Sequence, residues 1–511
     1  MTVRKELRIG SLLSYVQMLL RVGIGLAYTP IVIRLLGQSE YGLYSTVSSV
    51  TALLALFGLG LHHGYIRFYA RYRREGNEVA LARLNGCCLL LLSGIGALVL
   101  TFGIFLSYHL PLLYGTGLSA SEYRVAETLF RVLTVYQAVL FPMSAFSEIV
   151  SAHERFLFLK VVGIVKTVLV PIVTVPLLLV GKSCIAMAIA LLFVAVLTEL
   201  AYAIYVKRVL HCRFSFRMPE HGFLGSLLSY TAFIAIGLLV DQINAGLDRF
   251  LLGRSVGTVA VAVYAVGHAL YQYYMMFSTS VSGLLAPRVH RIVHETEDPA
   301  LRGDRLSALF LCVGRLQFLL LSLLATGVIF FGRPFLLHWV GEGYDDAYAI
   351  ALLLILPATV PFIQNVGIEI QRALNLHRFR SIAYLGMAGL NLLLTLSLIP
   401  RLGAVGAAVG TAVSLLLANG ILMNVYYSRR CGLNILGFWK GILRLSAGLP
   451  LPLAVGALLS CVLPMRSIAG LLVGIVIYTA TYGASMWLFG MNSYEKDLVR
   501  NPIRRLLKRT S

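Results

Sequence analysis

Ser14, Gln17, Arg21 and Tyr28 recur at helical spacing along one apolar run, with Gly25 leaving room on the same face. Arg21 falls near the middle of that run. A guanidinium there offers a planar fork of donors that fits phosphate oxygens, and the hydroxyls and amide beside it suit a hydroxyl-rich ligand. A second run carries Tyr230, Gly237, Asp241, Asn244 and Asp248 on one face, and a third carries His268, Tyr271, Gln272, Thr279 and Ser282. The candidate binding residues are Arg21, Gln17, Tyr28, Arg67, Asp241, Asn244, His268, Tyr271, Gln272 and Arg315. Asp241 and Asp248, carboxylates inside apolar runs, are the candidates for ion coupling. None of these groups has the spacing of a catalytic or metal-binding set.

Such faces need helices solvated by lipid to carry them. Soluble domains are about 45–50% apolar and about 25% charged; this chain of 511 residues is 58% apolar and 13% charged. Apolar runs long enough to cross about 30 Å of hydrocarbon as helices recur from end to end. Fourteen spans are predicted, at 9–36, 43–69, 84–110, 123–151, 157–180, 183–208, 223–252, 257–288, 305–331, 344–370, 379–399, 403–427, 441–463 and 467–490. The fold class is all-α. The net charge of +21 raises a nucleic-acid reading, but the basic residues form short clusters between apolar runs and make no continuous face.

Those clusters set a topology, because cytoplasmic loops collect Lys and Arg. Arg4, Lys5 and Arg8 precede the first span, Arg71, Arg73, Arg74 and Arg83 follow the second, and Lys207, Arg208, Arg213 and Arg217 follow the sixth. Every other loop continues the series, as far as a tail with Lys496, Arg500, Arg504, Arg505, Lys508 and Arg509. The alternate loops carry Lys182 alone, Arg401 alone, or an acidic Glu342, Asp345 and Asp346 group beside Arg333. Both termini are expected in the cytoplasm. The basic start resembles a secretory signal, but its apolar run is too long and lacks a small-residue cleavage site, so it is expected to stay as the first helix.

Plainer readings compete with the chemical ones. Glu127 and Arg131, four residues apart, can pair on their own helix. Arg67, near the end of its span, can snorkel to the interface. Arg21 can pair with Asp241, since buried charges usually find partners. Glu148, Lys166, Glu199 and Glu369 are further ionisable positions in apolar runs. His62, His63 and His268 have a proton carrier's chemistry, but a wet helix bundle also accommodates polar rings. The seven cysteines show no C-x-x-C spacing and lie mostly in helices, so neither a disulfide nor a metal site is expected. No cofactor is implied.

The phrase GSLLSY occurs at Gly10–Tyr15 and again at Gly225–Tyr230. After the first copy the chain reads Leu35-Leu36-Gly37-Gln38-Ser39 and then Gly42-Leu43-Tyr44; after the second it reads Leu251-Leu252-Gly253-Arg254-Ser255 and then Ala262-Val263-Tyr264. Six spans separate the copies, an even number, so a duplicated half runs twice in the same direction. Parallel repeats of this kind build transporters with a substrate site near the midplane. The expected organisation is a six-helix bundle at 1–215, a second at 216–430, two extra helices at 431–490 and a basic tail at 491–511.

Leu36-Gly37-Gln38-Ser39-Glu40-Tyr41-Gly42-Leu43-Tyr44, Asp248-Arg249-Phe250-Leu251-Leu252-Gly253 and Arg401-Leu402-Gly403-Ala404-Val405-Gly406-Ala407-Ala408 together resemble the polysaccharide-lipid flippases of the multidrug, oligosaccharidyl-lipid and polysaccharide exporter superfamily. That resemblance implies export of a polyprenyl-pyrophosphate-linked oligosaccharide, such as an O-antigen or exopolysaccharide repeat unit, across a bacterial cytoplasmic membrane. The alternative is a peptidoglycan-precursor flippase. A cation or drug antiporter fits less well, because fourteen spans and Arg21 replace the twelve spans and acidic cavity expected there. A polyprenyl-directed glycosyltransferase needs a sugar-holding domain beside catalytic acids, and no loop is long enough to supply one. The partners expected are the lipid-linked substrate, membrane lipids and other polysaccharide-assembly membrane proteins, with no nucleic acid, for a monomeric chain that is not an enzyme.

Overall fold

The computed structural model describes residues 3–500 apart from 59, 116, 182, 221, 283–285, 466 and 499. Only the backbone is described at 3–12, 232–234, 236–241, 243–245, 280–282, 286, 287, 377 and 378. All regular structure among these residues is helical. In order the helices are α1 (Val3–Leu53), α2 (Leu61–Arg74), α3 (Glu78–Tyr108), α4 (Leu110–Tyr114), α5 (Ala120–Ala152), α6 (Phe156–Gly181), α7 (Cys184–Arg208), α8 (Phe223–Ser255) and α9 (Thr258–Ser282). Then follow α10 (Ala286–Glu295), α11 (Pro299–Trp339), α12 (Asp345–Ile363), α13 (Val366–Ala373), α14 (His377–Leu415), α15 (Met423–Arg429), α16 (Ile435–Ser446), α17 (Pro450–Val462) and α18 (Ile468–Ser485).

Nine helical runs among the described residues are long and apolar enough to cross a membrane, or ten when α16 and α17, bent by 48° just before Pro450, count as one. Leu13–Arg74 is 62 residues, about 93 Å at 1.5 Å per residue, which is two crossings. It folds back at Gly37, whose φ of 80° only glycine takes readily. The 51-residue run Phe379–Arg429 breaks in the same manner at Gly403, φ 55°. Divided there, the helices are consistent with fourteen spans. The second predicted span, 43–69, is not one helix: a 3-10 turn at Leu54–Gly58 and left-handed Gly60 separate the end of α1 from α2.

The described chain forms two compact units, Met1–Ala265 with Ile399–Ala404, and Val266–Leu398 with Val405–Ser511. In the first, Val32, Val47, Phe130, Leu178 and Ala188 form one apolar core. Tyr65, Leu84, Ile149, Val206 and Phe223 form another. The phrase around Gly37 has a mechanical explanation here. Ser39 and Thr258 both donate to Glu122 Oε1, at 2.8 and 2.7 Å, and Glu40 Oε2 accepts the Cys184 N–H at 2.9 Å, a carboxylate on the positive end of α7. Gly42 lets the start of α9 pass against α1.

A Cβ at Gly42 would stand 1.8 Å from the Thr258 carbonyl oxygen, whereas one at Gly23 would meet nothing within 4 Å. Gly42→Val is therefore expected to lower the melting temperature of the detergent-purified protein by an overpacking cost of about 1–3 kcal/mol or more, and Gly23→Ala to leave it unchanged. Equal melting of both variants would contradict this close packing.

The second unit has its core at Phe310, Ile363, Met423, Tyr427 and Phe438. Polar bonds join its last spanning helix to α11. Tyr478 donates to Thr326 Oγ1 at 2.7 Å, and the hydroxyls of Tyr482 and Ser322 lie 2.7 Å apart. With lipid no less apolar than leucine, such bonds and close contacts hold spanning helices together. Apolar side chains such as Ile172, Phe193, Leu393 and Val476 point outward and are exposed, as lipid solvation requires.

Candidate functional site

The polar stripe of α1 divides in the structure. Gln17 packs against α6, where a Cβ at Gly163 would stand 2.4 Å from its Nε2. Tyr28 is half-buried beside Thr174 of the same helix. Arg21 remains exposed on α1 and makes no ion pair with any described residue. The side chains of Asp241 and Asn244 lie outside the described residues, and with them the expected pairing of Arg21 with Asp241.

Arg67 does not extend freely: its guanidinium lies 4.4 Å from the centre of the Tyr230 ring on α8, a cation–π contact within the first unit. Asp248 is buried at 3% exposure and accepts the Tyr264 hydroxyl at 2.6 Å, so this carboxylate fastens α8 to α9. Nearby Arg254 donates to the carbonyls of Leu112 and Leu113. The Asp248–Gly253 phrase, like the one at Gly37, is a structural joint.

In the second unit His268 and Tyr271 are neighbours on α9 with rings 5.5 Å apart, and Tyr271 stacks on Phe362. Gln272, next along, is half-buried. Arg315 is not brought to them. It makes a two-pronged pair with Glu495, Nε to Oε1 at 2.6 Å and Nη2 to Oε2 at 2.9 Å, and also donates to the carbonyls of Gly441 and Gly490. This pair borders a cavity of about 1020 Å³ that Arg288, Arg291 and Arg305 also line. Arg315, a candidate binding residue by sequence, is thus taken up by a structural pair, and the basic segment after 490 is more than a tail. In the structure Asn492 and Glu495 cap a helical turn there and tie it to α11.

Glu127 pairs with Arg131 on α5, and Arg131 also donates to Ser107 Oγ at 3.2 Å. Glu369 pairs with Arg372 at 2.8 Å. Among the described residues Glu148 and Glu199 make no such contact with Lys or Arg. Both are buried, at 7% and 8% exposure, on α5 and α7 of the first unit. Among the described residues no group of three His, Cys, Asp or Glu side chains is placed to hold a metal ion. The cysteines are free thiols, and outside the spans burial pushes Cys212 up to about 11, with the Glu78 charge adding to it, and Cys431 up to about 12. Neither is a nucleophile at neutral pH.

Residues 9–293, more than half of the chain, match the family described as "Polysaccharide biosynthesis protein". The chain belongs to that family. Among solved structures the lipid II flippase MurJ in an inward closed conformation is similar with a TM-score of 0.67 at 14% identity, over 96% of this chain and 99% of that one. An inward-facing multidrug resistance MATE family transporter of the MOP superfamily has a TM-score of 0.59 at 13% identity, over 83% and 99% of the two chains. The MATE multidrug transporter DinF-BH has a TM-score of 0.63 at 14% identity, over 84% and 96%. Among curated proteins, none matches. Identities this low establish a common fold. With the long apolar helices they make this chain a multi-pass membrane protein with the fold of those transporters.

Proposed function

We propose that the protein flips a polyprenyl-pyrophosphate-linked oligosaccharide, an O-antigen or exopolysaccharide repeat unit, from the inner to the outer leaflet of a bacterial cytoplasmic membrane by alternating access. The observation that carries this reading is Arg21, an exposed guanidinium without an ion-pair partner among the described residues, at mid-depth of a spanning helix in a polysaccharide-biosynthesis family member. A cation so placed suits a pyrophosphate, whose oxygens accept from its fork of donors. The working division keeps the bundles at 1–215 and 216–430, with both termini on the cytoplasmic side, where the basic loops gather. A second reading, a peptidoglycan-precursor flippase, is supported by the lipid II flippase fold matching over 96% of the chain.

A polyprenyl tail is already at home in lipid, so only the pyrophosphate and sugars need a polar route. An inside-negative potential favours outward movement of that head by about 2.3 kcal/mol per charge per 100 mV. The sequence has no G-x-x-x-x-G-K-[ST] phrase for nucleotide binding. In vesicles holding the purified protein and a fluorescent polyprenyl-pyrophosphate glycan, transfer is expected to respond to an imposed potential without nucleotide. Transfer of lipid II in preference to other glycans would select the second reading. An absolute need for ATP, with indifference to potential and ion gradients, would overturn the mechanism.

A further inference from the structure

The structure joins an interrupted span to two buried acids. Helix α2 begins inside the membrane-crossing run Leu13–Arg74, after the 3-10 turn at Leu54–Gly58 and left-handed Gly60. Helix interruptions at membrane depth persist where protein packs around them or a polar cavity needs them. Here Gly58 lies against Phe141 of α5 and Gly60 against Thr231 of α8. The fresh N-terminus of α2, the positive end of its dipole, carries His62, whose Nδ1 stands 3.9 Å from Glu148 Oε1.

Among the described residues Glu148 has no Lys or Arg partner. Cys88 of α3 approaches its other oxygen at 3.6 Å, and Tyr65 of α2, which donates to Asn85, lies near enough to sense its charge. Glu199, on α7, lies near Lys166 of α6 and the hydroxyl-bearing Tyr136 and Tyr202, yet makes no ion pair within 4 Å among the described residues. Its Oε2 is buried without a hydrogen-bond partner among the described residues. The helices that carry the two acids, α5 and α7, pack against each other. An ionised carboxylate denied water and a contacting cation is too costly to persist, so a bundle closed around these acids must neutralise them.

We propose that Glu148 and Glu199 form a proton-binding site in the first unit that couples export to a proton gradient, a role that rests on the export reading above. Each acid gains a proton and loses its negative charge when the bundle closes, and returns the proton when it opens. A proton fits better than a metal cation: hard cations take shells of oxygen ligands, whereas a histidine ring and a thiol are what approach Glu148, and no group of three His, Cys, Asp or Glu among the described residues is placed to hold an ion. Glu199 lies nine residues before Arg208, the end of α7 next to a basic loop, about 13 Å along the helix. The coupling site is therefore placed towards the side of the basic loops, away from the Asp248 joint.

The test uses the full chain in lipid vesicles. Infrared difference spectra between buffers of about pH 6 and about pH 9, a range in which ordinary carboxylates stay ionised, at fixed sodium, are expected to show a carboxylic C=O band that is reduced in Glu148→Gln and in Glu199→Gln and absent from the double variant. This arm needs no substrate. A band that survives in the double variant, or that sodium shifts at fixed pH, overturns the site; so does its absence from the unaltered protein, which keeps the test valid if a Gln variant does not insert. In the second arm the potential is clamped to zero and a gradient of one pH unit is imposed with the fluorescent polyprenyl-pyrophosphate glycan. The unaltered protein is expected to shift the steady-state leaflet ratio about tenfold per coupled proton, Glu199→Gln not to shift it, and Glu199→Asp to restore the shift. A normal shift in Glu199→Gln refutes coupling through this residue. If no glycan moves with the unaltered protein while the band still titrates, the export reading fails and the proton site stands.

Discussion

An Arg21→Ala strain is expected to lose glycan export while keeping the protein in the membrane at its normal level. A charge at mid-depth costs at least about 2.5 kcal/mol on insertion scales, so a chain that keeps one has a compensating partner or a use for it. Among the described residues Arg21 has no ion-pair partner, and it is exposed while its neighbours Gln17 and Tyr28 turn to α6. A use is left. Two charge-assisted bonds to a pyrophosphate, each about 1.5–3 kcal/mol, would weaken substrate holding by roughly two orders of magnitude or more when lost together. Arg21→Lys keeps the charge but not the fork and is expected to export at an intermediate rate. Export and membrane level, measured in the same cells, decide the matter. Normal export in the Ala strain refutes the role, and disappearance of the protein from the membrane points to a structural pair, with Asp241 the first residue to examine.

Much of the architecture is legible in the sequence, because hydropathy and the alternation of basic loops are consequences of lipid solvation itself. The break at Gly403 falls at the boundary between the predicted spans 379–399 and 403–427. The phrase from Leu36 to Tyr44 marked the family, but its parts turn out to serve one turn: Gly37 reverses the chain, Ser39 and Glu40 tie it to α5 and α7, and Gly42 admits α9.

Two features stayed hidden for a physical reason. The interruption before α2 has no proline to announce it; its signal is Gly58 and Gly60 within Leu-Ala-Leu-Phe-Gly-Leu-Gly, easily absorbed into an apolar helix. Partners distant in sequence are equally silent. Asp248 reads as a buried carboxylate, but its Tyr264 becomes visible only when α8 and α9 fold back on each other. The chemistry of a residue type is written locally, whereas its availability depends on which helix packs beside it.

Arg315 carries the same lesson into the last prediction. Its partner, Glu495, is 180 residues away, and the two side chains are 8% and 2% exposed. Removing one member of a buried pair strands the other, at about 3–5 kcal/mol, whereas apolar residues of similar volume at both positions are often tolerated. Glu495→Ala is therefore expected to lower the thermal stability of the purified protein sharply, and the double variant Arg315→Met/Glu495→Leu to recover most of the loss. Recovery should be incomplete, because the carbonyls of Gly441 and Gly490 also lose a donor. A double variant as unstable as the single would mean that those carbonyl bonds, and not a stranded charge, set the cost. If the double variant is stable, its export is expected to match the unaltered protein, since the pair fastens the segment after Gly490 to α11. A stable double variant that does not export would return Arg315 to the substrate path, with Glu495 as the group that occupies its guanidinium until a phosphate displaces it.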